Sequence, residues 1–260
     1  MNTTDLIEYP QRGEWDGQYT VAVCKRALSP SGLPGIDHAL NPYGGCTHGC
    51  VYCYAPEVTH SDWKEWRVVK VKSNIASRLS KELFGLHGTI GIGTVTDPYQ
   101  YAEKRFCLTR DCLDILMKRD MRVHIHTKSD LVMRDAELIS RMRGEVGVTV
   151  TSVDDKVSKM TEPGAPLPDK RLGTIRGLVD SDIDVYALVG PVLSHLEGSE
   201  KDLVDAIAST GVKRMVIDSL NGRPLLSERL ARMGIGGSET AVANVKRLAS
   251  AAGISVSDVF

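Results

Sequence analysis

Short runs of β-type residues alternate with helical patterns along most of this chain of 260 residues. The predicted strands cover residues 38–43, 89–95, 122–127, 146–151, 184–189 and 214–218. Most of their starts are roughly 25–38 residues apart, which is the size of a strand, a crossover helix and two loops. A repeated strand–helix pattern predicts an α/β fold with parallel strands and helices outside the sheet.

Helical patterns fill the intervals between these strands. Residues 70–84 place Val71, Ile75, Leu79 and Leu83 at four-residue spacing, which predicts an amphipathic helix. Further helices are predicted over residues 107–119, 131–142, 168–179 and 199–209. Six such units suit either an open doubly wound sheet or a partial barrel, and composition does not choose between them. In both architectures ligands gather at the carboxyl ends of the strands.

Three cysteines lie within eight residues, at Cys46, Cys50 and Cys53, with the spacing C-x3-C-x2-C. Thiolates are soft ligands, so three of them this close together can converge on one metal centre. An iron–sulfur cluster with four irons usually takes four cysteines, and three would leave one iron open to another ligand. A closed structural zinc site would also need a fourth ligand, for which His48 or His60 is available.

The cysteine spacing, with the aromatic Tyr52 before the last cysteine, resembles the motif of radical S-adenosylmethionine (SAM) enzymes. In that superfamily the three thiolates hold a 4Fe–4S cluster whose open iron binds SAM. Cleavage of SAM by one electron then gives a 5′-deoxyadenosyl radical that abstracts hydrogen from a substrate. The longer string Gly-Cys-x3-Cys-x-Tyr-Cys-Tyr at residues 45–54 resembles the spore photoproduct lyase-like (DNA repair photolyase-like) branch. That resemblance extends from about Cys24 to about Leu196.

The resemblance implies a partial (β/α)6 barrel of the TIM type, with the cluster loop after the first strand. We expect the barrel to span residues 35–222, after an N-terminal extension at 1–34 and before a small C-terminal helical cap at 223–260. The extension contains a predicted short strand over residues 18–23. Helical patterns in the cap cover about 225–233 and 238–251.

The resemblance also implies catalytic side chains close to the cluster. Tyr52 and Tyr54 match tyrosines that flank the last cluster cysteine in spore photoproduct lyase-like proteins, where they have a hydrogen-relay role. The segment after the second strand matches a loop close to both SAM and substrate, and it contributes Thr94, Thr96 and Asp97.

Polar residues after the later strands could bind the carboxylate and the ribose hydroxyls of SAM. Lys128 can offer a point charge to the SAM carboxylate, and Thr149 and Thr151 can offer hydroxyls to its ribose. The resemblance places Lys128 and Thr149 among SAM contacts. The full predicted SAM-binding set is Tyr52, Thr94, Lys128, Thr149, Thr151 and Gly190. The other interpretations are a solvated loop lysine at position 128 and ordinary β-branched strand residues at 149 and 151.

One departure separates this chain from spore photoproduct lyase. There, a cysteine in the loop after the second strand donates hydrogen to the product radical, whereas residues 93–97 here contain none. A hydroxyl is a much poorer hydrogen-atom donor than a thiol. The sequence therefore does not identify the substrate, and repair of a DNA lesion is the alternative hypothesis rather than the main one.

Charge and composition limit the remaining functions. The net charge is −1, so the sequence lacks the basic excess of a typical nucleic-acid-binding protein, although a local basic groove stays possible. We expect a cytoplasmic monomer without membrane segments, reduced by a one-electron donor such as flavodoxin or ferredoxin. Two alternatives for the cysteines are a zinc-stabilised binding protein and a thioredoxin-like pair at Cys50 and Cys53.

Overall fold

The computed structural model describes residues 19–259. The strands are β1 (Tyr19–Ala22), β2 (Leu28–Pro30), β3 (His38–Leu40), β4 (Tyr43–Gly44), β5 (Val69–Lys72), β6 (Thr89–Ile92), β7 (Arg122–Thr127), β8 (Gly144–Thr149), β9 (Asp184–Val192), β10 (Arg214–Ser219) and β11 (Ser255–Asp258). The α-helices are α1 (Ala55–Val58), α2 (Ile75–Glu82), α3 (Glu103–Phe106), α4 (Leu108–Met117), α5 (Ala136–Ser140), α6 (Asp155–Thr161), α7 (Pro168–Asp180), α8 (Glu200–Ala208), α9 (Pro224–Ala231) and α10 (Glu239–Ala251).

The larger sheet has eight strands in the order β11-β10-β9-β8-β7-β6-β3-β2. Every neighbouring pair is parallel except β2 with β3, which is antiparallel. A second, three-stranded sheet has the order β1-β5-β4. Five of the six predicted strands are present in the larger sheet, and of the predicted strand over 38–43 only His38–Leu40 (β3) belongs to it, because Tyr43 lies in β4 of the second sheet. The α/β class with a mostly parallel sheet is confirmed.

The two faces of the larger sheet differ in chemistry because side chains alternate along a strand. In β7, Val123 and Ile125 are fully buried in the hydrophobic core, whereas His124 and His126 lie on the opposite face. That second face is polar. The hydroxyl of Tyr186 lies 2.7 Å from Nε2 of His124 and 2.5 Å from Nε2 of His126. Gly147 leaves room for this phenol, since a Cβ there would overlap its hydroxyl.

The predicted helix over residues 70–84 was wrong in its first turn. Val69–Lys72 form strand β5, in which Val69 and Val71 are fully buried and alternate with the two lysines. The helix begins at Ile75. In the C-terminal part, α9 and α10 match the two helical patterns, but β11 was not predicted and pairs with β10.

The predicted strand over residues 18–23 corresponds to β1, apart from residue 18, which lies outside the described residues together with residues 1–17 of the proposed extension. β1 pairs with β5, and β2 pairs with β3. Residues 19–34 therefore contribute strands to both sheets. Between residues 19 and 259, no helix combines the length and apolar character needed to cross a bilayer.

Candidate functional site

The three predicted metal-ligating cysteines lie on one loop between β4 and α1, which we call the cluster loop (residues 45–54). All three are free thiols; Cys50 is buried, and Cys46 and Cys53 are partly buried. Burial raises the pKa of Cys46 and of Cys50 to about 12, and that of Cys53 to about 11. Without a cation these thiols stay protonated, and a metal that binds them must displace the protons.

The loop after β6 holds the first part of the cluster loop. Thr96 donates a hydrogen bond of 2.5 Å from its hydroxyl to the carbonyl of Gly45. The amide nitrogen of Gln100 donates to the same carbonyl at 3.0 Å, and its amide oxygen accepts from the backbone nitrogen of Thr47 at 3.0 Å. Gln100 is fully buried and was not among the predicted site residues. Thr96 thus contacts the cluster loop directly.

Thr94, in the loop after β6, contacts Tyr54, the last residue of the cluster loop. The Tyr54 hydroxyl donates to the carbonyl of Thr94 at 2.9 Å, and the hydroxyl of Thr94 accepts from the side chain of Asn41 at 3.0 Å. The Tyr54 side chain remains 39% exposed. The guanidinium of Arg223 lies 5.8 Å from the centre of its ring. Tyr54 is therefore partly exposed to solvent, whereas its hydroxyl is held by the hydrogen bond to Thr94.

Asp97 connects three parts of the site. One carboxylate oxygen accepts from the backbone of Tyr99 and the hydroxyl of Thr127, each at 2.8 Å. The other accepts from the backbone of Lys128 at 2.7 Å and lies 3.5 Å from Nδ1 of His48. Burial lowers the pKa of His48, although Asp97 opposes this shift. The carboxylate thus ties the cluster loop to the carboxyl end of β7.

A buried charged network lies beneath the second half of the cluster loop. The hydroxyl of Tyr52 donates to Glu162, whose carboxylate also pairs with Arg171 and accepts from Thr151 at 3.1 Å. The side chains of Glu162 and Arg171 are 0% and 1% exposed. Burial opposes ionisation of Glu162, but Arg171 and Lys128 outweigh it and hold its pKa below the usual range. Neither Glu162 nor Arg171 was predicted from the sequence as a site residue.

Lys128 extends from the end of β7 toward this network. Its ammonium lies 5.6 Å from the centre of the Tyr52 ring. Burial opposes the charged form, yet the negative charges of Cys50, once it is deprotonated, and of Glu162 outweigh burial and raise the pKa of Lys128. Lys128 therefore carries a positive charge on the inner face of the site.

Thr149 is the last residue of β8, and Gly190 lies two residues before the end of the neighbouring strand β9. Thr149 is buried, and its carbonyl accepts from Arg171 at 3.4 Å. A Cβ at Gly190 would overlap Cβ of Asp218, at the end of β10. Burial raises the pKa of Asp218 to about 6. The predicted site residues at or near the ends of β6 to β9 therefore lie at one edge of the sheet. Asp218, which was not predicted, lies at the same edge.

The donor set fits an iron–sulfur cluster. A cluster has several irons, so each of its cysteines can bind a different one. The other cysteines are engaged elsewhere: Cys24 with Asn74, Cys107 near Arg134, and Cys112 in the hydrophobic core.

The family model of the radical SAM superfamily matches residues 40–207 of this chain. The chain belongs to the radical SAM superfamily. It is therefore an enzyme of the radical SAM class, and this superfamily uses SAM and an iron–sulfur cluster. The matched segment begins just before the cluster loop and contains Glu162 and Arg171 as well as all the predicted site residues.

Two relatives of this radical SAM enzyme are uncharacterised proteins. A protein of Methanocaldococcus jannaschii is 33% identical over 177 residues, which cover 66% of each chain. A protein of Mycobacterium tuberculosis is 31% identical over 239 residues, which cover 84% of this chain and 70% of the relative.

Solved structures with the same fold come from two kinds of radical SAM enzyme. Spore photoproduct lyase complexed with dinucleoside spore photoproduct superposes with a TM-score of 0.69 at 15% identity, over 92% of this chain and 81% of that one. SuiB of Streptococcus suis bound to SAM superposes with a TM-score of 0.55 at 12% identity, over 85% and 49%. At these identities the likeness establishes the fold.

Proposed function

We propose that Cys46, Cys50 and Cys53 hold a 4Fe–4S cluster, and that the enzyme cleaves SAM reductively to abstract hydrogen from a substrate. The observation that carries this proposal is the position of the three free thiols. They share one loop at the carboxyl ends of the parallel strands, beside the charged Lys128. When bound, the cluster and SAM together supply a 5′-deoxyadenosyl radical for this abstraction. A small reductant such as flavodoxin or ferredoxin would deliver the electron.

The side chains around the loop have separate roles in this proposal. Lys128 binds the carboxylate of SAM, because it is a cation close to Cys50, whereas Arg171, a second cation close to Cys50, is paired with Glu162. Thr149, Thr151 and Gly190 line the strand ends where the nucleoside would lie.

The loop after β6 supports the site from the other side in this proposal. Thr96 and Asp97 fix the cluster loop, and Thr94 orients Tyr54. Tyr54 is the tyrosine open to substrate. Tyr52 points inward and is held by Glu162.

The residue that would return hydrogen to the substrate bears on which reaction the enzyme catalyses. Residues 93–97 contain no cysteine, which disfavours the reaction of spore photoproduct lyase and leaves DNA lesion repair as the second candidate. Among the structural neighbours, spore photoproduct lyase is complexed with a dinucleoside and SuiB with a precursor peptide, so the fold accepts both kinds of molecule. Transfer of deuterium from labelled candidates into 5′-deoxyadenosine would identify the substrate and the abstracted hydrogen.

Iron analysis tests the central proposal. After anaerobic reconstitution, we expect about four irons and four sulfides per chain, and 5′-deoxyadenosine after addition of SAM and dithionite. A colourless protein that contains one zinc and no iron would contradict the proposal and support the zinc-stabilised binding protein.

Replacing Lys128 by alanine should weaken SAM binding and leave the cluster in place. Loss of one charge-assisted hydrogen bond costs about 1.5–3 kcal/mol, so we expect the dissociation constant for SAM to rise about tenfold or more. Titration of the reconstituted enzyme with SAM would measure it. The matched control is Lys170→Ala, which removes a lysine with an exposed side chain that pairs with Asp130 on the surface. An unchanged dissociation constant in the Lys128 variant would show that this residue does not bind SAM.

A further inference from the structure

Helix α9 contacts the cluster loop from outside the segment that matches the superfamily. Arg229 donates from Nε to the carbonyl of Val51 at 2.6 Å and from its terminal nitrogen to the carbonyl of Cys53 at 2.7 Å. Its guanidinium carbon lies 3.7 Å from the centre of the Trp63 ring. The superfamily match ends at residue 207, so this contact belongs to the C-terminal part of the chain.

The charge of Arg229 is not neutralised by an ion pair within residues 19–259. The other arginines of this region differ: Arg232 pairs with Glu228 on the surface, and Arg223 lies beside the ring of Tyr54. The acidic groups whose charges reach Arg229 are the Cys53 thiol and the Glu57 carboxylate, and Glu57 accepts from the backbone nitrogen of Leu226 at 2.9 Å instead of pairing with Arg229. A guanidinium held between an indole ring and two carbonyls thus directs its positive charge at the segment between Cys50 and Cys53.

We propose that Arg229 is a positioning residue that sets the reduction potential of the cluster, and this inference rests on the proposed function. Reduction adds one negative charge to the cluster. A fixed positive charge beside the loop stabilises the reduced form and raises the potential, since charge, hydrogen bonding and solvent exposure all tune such clusters. The stacked indole limits screening by water, which strengthens the effect of the charge.

The test is a redox titration of the reconstituted enzyme, followed by electron paramagnetic resonance (EPR). In Arg229→Gln the equilibrium constant for reduction should fall about tenfold, which is about 59 mV toward negative potential for one electron. Arg229→Lys keeps the charge and should stay within about twofold of the wild type. Arg232→Gln removes an exposed charge just after the end of the same helix and should leave the potential unchanged.

A further variant removes a negative charge near Arg229 and should shift the reduction potential in the opposite direction. Glu57→Gln keeps an acceptor for the backbone of Leu226 but removes the carboxylate charge, so the equilibrium constant for reduction should rise. If Arg229→Gln assembles its cluster at the wild-type potential, the inference is overturned. If that variant does not retain iron, an unchanged potential in Glu57→Gln overturns it instead. Failure of the wild type itself to assemble a cluster would contradict the proposed function, which is a separate result.

Discussion

Replacing Cys50 by alanine is expected to abolish both cluster assembly and the reductive cleavage of SAM. Cys50 is the most buried of the three thiols of the cluster loop, so neither solvent nor another side chain can easily take its place as ligand. With only two cysteines left, the cluster would lose one of its three protein ligands. The measurements are iron content, the EPR signal of the reduced protein, and 5′-deoxyadenosine formed from SAM.

Cys24→Ala is the matched control, because its thiol is partly buried and donates to Asn74 at 3.2 Å, away from the loop. It should retain full iron content and SAM cleavage. A Cys50 variant that still produced 5′-deoxyadenosine would show that this cysteine is not a ligand. Loss of activity in both variants would indicate general damage to the protein and would not support the assignment.

The alternation of strands and helices made most of the fold predictable. Five of the six strands carry enough apolar, β-branched residues to be recognised locally, whereas β3 (His38–Leu40) contains none. Each crossover restricts the next strand to a parallel neighbour. β5 was missed because Val71 belongs to two patterns at once. It alternates with Lys70 and Lys72, and it also lies four residues before Ile75 at helical spacing. Pairing of β5 with β1 and β4, which are distant in sequence, decides between the two patterns.

The site was predictable only where its residues carry a local pattern. The cysteine spacing identified the cluster loop, and the strand ends located Lys128 and Thr149. Nothing near Glu162 or Arg171 distinguishes them from surface residues of two ordinary helical segments. Their burial follows from tertiary packing that brings α6 and α7 beneath Tyr52, 110 residues from Glu162 in the sequence. A charged residue that is buried by distant partners leaves no periodic signal.

Replacing Arg171 by methionine is expected to destabilise the protein by about 3–5 kcal/mol, because it leaves Glu162 as a buried charge without its main partner. Both side chains are at most 1% exposed. The free energy of unfolding, measured by chemical denaturation of the protein without cofactors, would test this. Arg232→Met removes an exposed partner of Glu228 and should cost less than about 1 kcal/mol.

A second substitution separates loss of charge balance from loss of packing. In Glu162→Gln with Arg171→Met, the amide still accepts from Tyr52 and Thr151, but no unpaired carboxylate is buried, so much of the stability should return. Arg171 helps to hold the pKa of Glu162 low, so in the wild type this acid contributes stability that is lost as pH falls. Without Arg171 the pKa of Glu162 rises, and the deficit of the single variant should shrink toward acidic pH as the carboxylate is protonated. A deficit that is equally large in the double variant and independent of pH would mean that Arg171 acts through packing alone. Recovery of stability without recovery of SAM binding would instead show that the charges of this pair serve the site beyond holding the fold.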